Sequence, residues 1–252
     1  MKKILIPLPS YGFDPTEVAI PWKLLTEKGF EITFLTPKGK QAAADSLMLT
    51  GDGLSILSKV LRARNDAVSA YYDMSKSESF RRPSDYTTVY EGDFDALLLP
   101  GGHDKAVKEY LESKTLQKLV IDFFKANKPV AAVCHGVVLA ARSIDPDTNK
   151  SVIYDYKTTA LLKKQELLAF NLTRLWLKDY YLTYPGLTVE DEVTSSLCDK
   201  KNFVHGPSPM LRDDDKHLKR GFALRDRNYI SARWPGDVYK FTRDFIELIE
   251  AS

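Results

Sequence analysis

The chain has 252 residues, 44% hydrophobic and 28% charged, and its 36 Lys and Arg against 34 Asp and Glu leave a formal charge of +2. That size and composition admit one large globular domain or two small ones, with a sizeable core. The charges are interspersed and form no basic stripe, so neither nucleic acid nor an anionic membrane is expected as a partner.

The N-terminus has a charged start, but Pro7 and Pro9 cut its apolar run far short of a signal peptide or a membrane span. Residues 4–8 are instead expected to form a first buried strand. With no secretory signal and only two cysteines, Cys134 and Cys198, the expectation is a reducing, cytoplasmic compartment and no disulfide framework. Asp14, Pro15 and Glu17 then open a helix as N-cap, N1 and N3, Gly29 ends it, and residues 31–35 complete a βαβ unit.

Residues 41–93 read as a surface elaboration, helical over 54–72 and polar and turn-rich over 75–85. The apolar run 96–99 predicts a strand that ends in Pro100-Gly101-Gly102-His103; residues 116–126 have helical spacing, and 129–133 form another buried strand. Residues 165–181 place Leu168, Leu172, Leu175 and Trp176 on one helical face, and 204–219 are rich in Pro, Asp and Lys, which suggests an inserted cap followed by a loop. The chain returns to the sheet at 229–232, and 238–249 close it as a last helix. Continuous apolar strands alternating with amphipathic helices favour a mainly parallel sheet covered on both faces. The whole chain is expected to be one domain, with elaborations at about 41–93 and 160–220.

The sharpest chemical signal is Pro129-Val-Ala-Ala-Val-Cys134-His135-Gly136, a cysteine directly after a buried strand and before a small-residue helix, with a glycine in the turn. This is a nucleophile elbow, which lifts the side chain above the carboxyl edge of the sheet; the helix N-terminus is expected to favour the thiolate. A free cysteine is more commonly a small buried hydrophobe, but a place in the turn rather than inside the strand favours a reactive thiol. His135 beside it could exchange protons with a substrate. Gly101, Gly102 and His103 follow a strand at the same edge, where backbone N–H groups can form an oxyanion hole. The four histidines and two cysteines show no zinc-ligand spacing, and no Gly-x-Gly-x-x-Gly or P-loop lysine motif occurs, so no metal or nucleotide cofactor is implied.

With a Glu in the first helix, a strand ending Pro-Gly-Gly-His and the run Ala132-Val-Cys-His-Gly136, the chain resembles the ThiJ/PfpI superfamily, the class I glutamine amidotransferase-like proteins. Length and insertions look most like its larger branch, which contains glutathione-independent glyoxalases of the glyoxalase III type and heat-inducible holdase chaperones. The resemblance implies a flavodoxin-like α/β three-layer sandwich with an inserted helical cap. It places the nucleophile on Cys134, the family histidine on His135 and the oxyanion turn on Gly101, Gly102 and His103, with Gly136 in the elbow. It also makes Glu17 the carboxyl that hydrogen-bonds the cysteine, which would require a protonated Glu17 with its pKa raised by burial. By position Glu166 is the third acid, with Asp191 and Glu192 as alternatives. Asp104 stands where the family more often carries glycine, and residues 165–219 are unlike the small chaperones.

The implied activity is cofactor-free attack of Cys134 on a small 2-oxoaldehyde such as methylglyoxal, giving a 2-hydroxy acid, or repair of glycated groups at the same site. The alternative is a holdase or an oxidative-stress sensor in which Cys134 is oxidised, and a weaker one is an intracellular peptidase or amidase. The later histidines, His205 and His217, lie outside any His-x-Glu, which argues against glutaminase activity. Dimers are frequent in the family, so a homodimer is expected.

Overall fold

The computed structural model describes all 252 residues. Seven strands form the main sheet: β1 (Lys3–Pro7), β2 (Glu31–Thr36), β3 (Ser84–Asp85), β4 (Ala96–Leu99), β5 (Val130–Val133), β6 (Ala223–Asp226) and β7 (Tyr229–Ala232). Seven helices carry the packing: α1 (Pro15–Glu27), α2 (Asn65–Lys76), α3 (Lys114–Lys125), α4 (Gly136–Arg142), α5 (Lys163–Leu177), α6 (Val189–Ser195) and α7 (Val238–Glu250). The strand order is β6-β7-β5-β4-β1-β2-β3, parallel throughout except that β6 runs antiparallel to β7. This is the flavodoxin-like arrangement, with helices on both faces. From β1 the chain turns to β2 on one side and later to β4 on the other, and that switch point opens a crevice at the carboxyl edge.

The central strands β1, β4, β5 and β7 are buried on both faces except at Lys3, which is why they read as unbroken apolar runs. Helix α1 packs against α2 and α7 on one face, and α4 against α3 and α6 on the other. Helix α7 buries Phe241, Phe245, Leu248 and Ile249. Each such side chain contributes about 1.5–3 kcal/mol of transfer free energy. No helix is long and apolar enough to cross a membrane.

The elaborations differ from the sequence expectation in two places. The 54–72 stretch is broken: a helical turn, Ser58–Leu61, stops at Arg62, whose extended backbone delays the next helix to Asn65. The turn-rich 75–85 stretch ends in the edge strand β3, paired with β2 through Leu35↔Ser84 and Thr36↔Asp85. The apolar stripe of α5 faces solvent, with Leu168 59% and Leu175 91% exposed. The inner face of α5 buries Glu166 and Thr173.

A buried ion pair fastens the 205–207 segment to the end of β7. Arg233 Nε and Nη2 each lie 2.8 Å from the Asp237 carboxylate, and both side chains are fully buried. Arg233 Nη1 donates to the carbonyls of His205 and Pro207, while Asp237 accepts the N–H of Phe222. The remaining donors and acceptors are thus largely met, the condition under which a buried pair is tolerated.

Candidate active site

Cys134 follows β5 directly and has φ +56°, the left-handed conformation that costs a non-glycine residue about 1–3 kcal/mol. Its N–H donates to Ala232 O at the end of β7, so the sheet itself holds the strained residue at the edge. The next helix starts at once, because Gly136 has room for no side chain: a Cβ there would sit 2.0 Å from Leu99 O. Strand β4 and helix α4 therefore touch, bringing the Pro100–His103 turn alongside the elbow. Gly101 is the second obligatory close approach, since a Cβ would lie 2.6 Å from His135 N and 2.9 Å from Glu17 Oε2.

Glu17 reaches this turn from α1. Asp14 caps that helix by accepting Thr16 N–H at 2.7 Å and Glu17 N–H at 3.2 Å. A capping box would return the Glu17 carboxylate to the Asp14 N–H. Instead Asp14 N–H donates to Gly101 O at 2.9 Å, and Glu17 Oε2 accepts Gly101 N–H at 2.8 Å. The Gly101 peptide is clamped on both sides, and this corrects one expectation: its N–H is engaged by Glu17 and is not offered to a substrate oxygen. Glu17 Oε1 makes no strict hydrogen bond, and the polar side chain beside it is the Cys134 thiol.

His135 Nδ1 lies 3.5 Å from Cys134 Sγ, and His135 Nε2 lies 3.0 Å from Thr183 Oγ1. Thr183 also donates to the His103 carbonyl at 2.9 Å. A hydroxyl has one proton and a carbonyl can only accept, so Thr183 must accept from His135 Nε2–H. That fixes the tautomer: Nδ1 carries the lone pair and faces the thiol, as a general base requires.

The third acid is a second correction. Glu166 Oε2 accepts Val189 N–H at 2.9 Å, Asp191 pairs with Lys163, and Glu192 pairs with Arg142. None of the three is bonded to His135, whose outer nitrogen meets a threonine hydroxyl contributed by the cap. Burial raises the Glu166 carboxyl to a pKa of about 7.

The electrostatics correct a third expectation. Burial, and then the nearby acids Glu17 and Asp14, push the Cys134 thiol well above its ordinary value; the backbone N–H of His135 pulls the other way and does not prevail. Burial, and then Asp14, raise Glu17 well above the carboxylate range, as the resemblance requires. Burial, and then His103 and Arg142, hold His135 well below its usual value. At rest the trio is a protonated carboxyl, a thiol and a neutral imidazole. Helix α4 starts at the elbow, but its seven residues do not outweigh burial and two nearby acids.

The cap seals the site. Cys134 and His135 are each 1% exposed. Tyr181 packs edge-on against His103 at 5.1 Å, and His103 against His135 at 5.2 Å. Tyr180 donates to Asp45, Trp176 Nε1 to Gly53 O, and Lys105 pairs with Asp179, so residues 176–183 are fastened at several points. Burial drops His103 to a pKa of about 4, making it a neutral wall. Asp104 starts the next helical turn by accepting Ala106 N–H, which gives the departure from glycine a local role. A surface cleft of about 520 Å³, lined by Glu112, Arg142 and Glu192, includes neither Cys134 nor His135.

Sequence reasoning missed Thr183 and the place of Tyr181 against His103, and took Asp14 only as a cap. Thr183 and Tyr181 come from an irregular cap segment that carries no local motif.

The model of the ThiJ/PfpI family-like proteins matches residues 8–207. An uncharacterised protein of Schizosaccharomyces pombe is 31% identical over 150 residues, covering 56% of this chain and 54% of that protein. The glutathione-independent glyoxalase hsp3102 of the same organism is 26% identical over 157 residues, 62% of each chain. The matched stretch thus spans less than two thirds of either relative. Glyoxalase III of Candida albicans has the same fold, with a TM-score of 0.70 at 20% identity over 100% of this chain and 98% of that one.

Proposed function

The chain belongs to the ThiJ/PfpI family, and from that premise we propose that it is a glutathione-independent enzyme that converts small reactive aldehydes through Cys134. The observation that carries this is the Cys134–His135 pair on a strained elbow, with the lone pair of Nδ1 turned to the thiol. In the proposed reaction Sγ attacks the aldehyde carbon of a 2-oxoaldehyde such as methylglyoxal. The thiol proton passes to His135 Nδ1 and on to the new alkoxide, giving a hemithioacetal. His135 then moves a proton from C1 to C2 through an enediol, leaving a thioester of a 2-hydroxy acid. Water cleaves that ester and restores the thiol. The sum is one aldehyde plus one water, with no external oxidant or reductant.

Glu17, protonated, holds Gly101 and keeps a second negative charge away from the sulfur. Gly102 and the His135 N–H are the proposed oxyanion donors. Repair of glycated thiols or amines would use the same first step. The test is lactate formation from methylglyoxal by purified protein without glutathione, wild type against Cys134→Ala. Activity lost in the variant supports the reading, and an inactive wild type sinks it.

A holdase role is the second reading, supported by the solvent-facing stripe of Leu168, Leu172, Leu175 and Trp176. It would survive Cys134→Ser. The buried thiol disfavours a peptidase, which must admit a chain.

A further inference from the structure

Besides Glu17 Oε1, three buried polar atoms on segments at the carboxyl edge of the sheet have no hydrogen-bond partner: His103 Nδ1, Tyr181 Oη and Trp234 Nε1. Each costs about 1–3 kcal/mol if left unpaired, so a cluster of them points to something polar that completes it. Two of them share one wall: Tyr181 packs edge-on against His103, which packs edge-on against His135. Trp234 follows the strand whose Ala232 carbonyl receives Cys134 N–H.

Arg212 extends this wall, its guanidinium 5.6 Å from the Trp234 ring centre. It donates to the carbonyls of Val60, Leu61 and Arg62, all neutral acceptors, and no carboxylate lies within ion-pair distance of it. A mostly buried guanidinium without an ion-pair contact is unusual. The acid nearest it is Asp14, which is 5% exposed: burial raises the Asp14 carboxyl above its ordinary value and Arg212 opposes that rise, while Asp14 in turn also affects the Cys134 thiol. A guanidinium and a carboxyl thus flank the site without a direct salt bridge, with unpaired phenol, indole and imidazole atoms nearby.

The inventory is mixed. Guanidinium, indole N–H and phenol O–H donate, and the Asp14 carboxyl oxygen accepts. The methyl group of methylglyoxal would satisfy none of them. A carboxylate or phosphate would meet Arg212, but its acceptor oxygens would offer nothing to the accepting oxygen of Asp14. A neutral hydroxyl both donates and accepts, and it fits. Resting on the reading of Cys134 as nucleophile, we propose that Asp14, Tyr181, Arg212 and Trp234 form a hydroxyl-recognising subsite. The preferred substrates are then aldehydes or 2-oxoaldehydes bearing hydroxyl groups, of the kind derived from sugars.

The test compares kcat/KM for methylglyoxal and hydroxypyruvaldehyde, which differ by one hydroxyl. Wild type is expected to prefer the hydroxylated compound by about tenfold or more, since a site built to bond a hydroxyl rejects the analogue lacking it. Tyr181→Phe keeps the ring, and Arg212→Met keeps much of the stem; each should reduce that ratio about tenfold. Equal preference in wild type, or an unchanged ratio in both variants, overturns the subsite. If wild type turns over neither aldehyde, the catalytic reading fails, and binding decides the subsite. Cys134→Ser protein would then be titrated by NMR with dihydroxyacetone and with hydroxyacetone. Tighter binding of dihydroxyacetone, lost in the added Tyr181→Phe change, upholds the subsite; no binding, or equal binding of the two, overturns it.

Discussion

Thr183 Oγ1 stands 3.0 Å from His135 Nε2, so the orienting partner of the imidazole is a neutral hydroxyl delivered by the cap. A carboxylate there would stabilise an imidazolium; a hydroxyl fixes the tautomer without doing so. A second proton on His135, at Nδ1, is therefore transient, and the base and the cap share one hydrogen-bonded unit.

Thr183→Val, which keeps the shape and removes the hydroxyl, should lower kcat about ten- to a hundredfold with a smaller change in KM. Thr183→Ser should restore most of it. Steady-state kinetics of the two variants check this; an equal loss in both would mean that packing, not the hydroxyl, is what matters.

Glu17→Gln retains an acceptor for Gly101 N–H but cannot hold the proton the site shares. Turnover should fall at least a hundredfold while the fold persists. Glu17 is raised by burial, so its carboxyl costs the fold stability as pH climbs from its unfolded value toward its folded one; Gln removes that dependence. Glu17→Ala leaves the buried Gly101 N–H unpaired and should destabilise by about 1–3 kcal/mol. Thermal melts at several pH values separate the two.

Glu166→Gln should leave turnover within about twofold, because that carboxyl bonds Val189 rather than His135. Its effect should be on stability. The folded carboxyl keeps its proton to about pH 7, while the unfolded one releases it near 4.5. The folded state therefore binds more protons in that window, and stability falls as pH rises through it, by at most about 3 kcal/mol. Urea midpoints of wild type should decline between the two pH values, and those of Glu166→Gln should decline less.

Asp237→Ala strands the Arg233 guanidinium in the core and should cost about 3–5 kcal/mol. The double change Arg233→Met with Asp237→Leu should recover much of it. Denaturant unfolding of the three proteins measures the difference.

The sheet, the elbow and the Glu17 helix were legible because each is written in a short stretch. Asp14-Pro15-Thr16-Glu17 signals a helix start, and Ala132-Val-Cys-His-Gly136 signals a strand turning into a helix. The cap was legible as an insertion and not as a contributor to the site. Thr183 meets His135 across 48 positions, through a segment with no periodicity to place it. The α5 stripe was legible as one helical face, while the side buried is decided by where Glu166 and Thr173 dock. The thiol pKa was misjudged for a related reason: proximity to a helix N-terminus is visible in sequence, whereas depth of burial and the approach of Asp14 are not.

The sealed cap divides the two cysteines of this chain into a clock and its reference. Cys198 is exposed and should react with a thiol reagent at the rate of a free thiol, while Cys134 can react only in the fraction of molecules whose 176–183 segment has lifted. The ratio of their alkylation rates, read by mass spectrometry on one sample and compared between variants, tracks the opening of the cap. Turnover cannot outrun that opening, so changes at Tyr180 or Lys105, which touch no reacting atom, should speed or slow the enzyme by changing how often the door stands ajar.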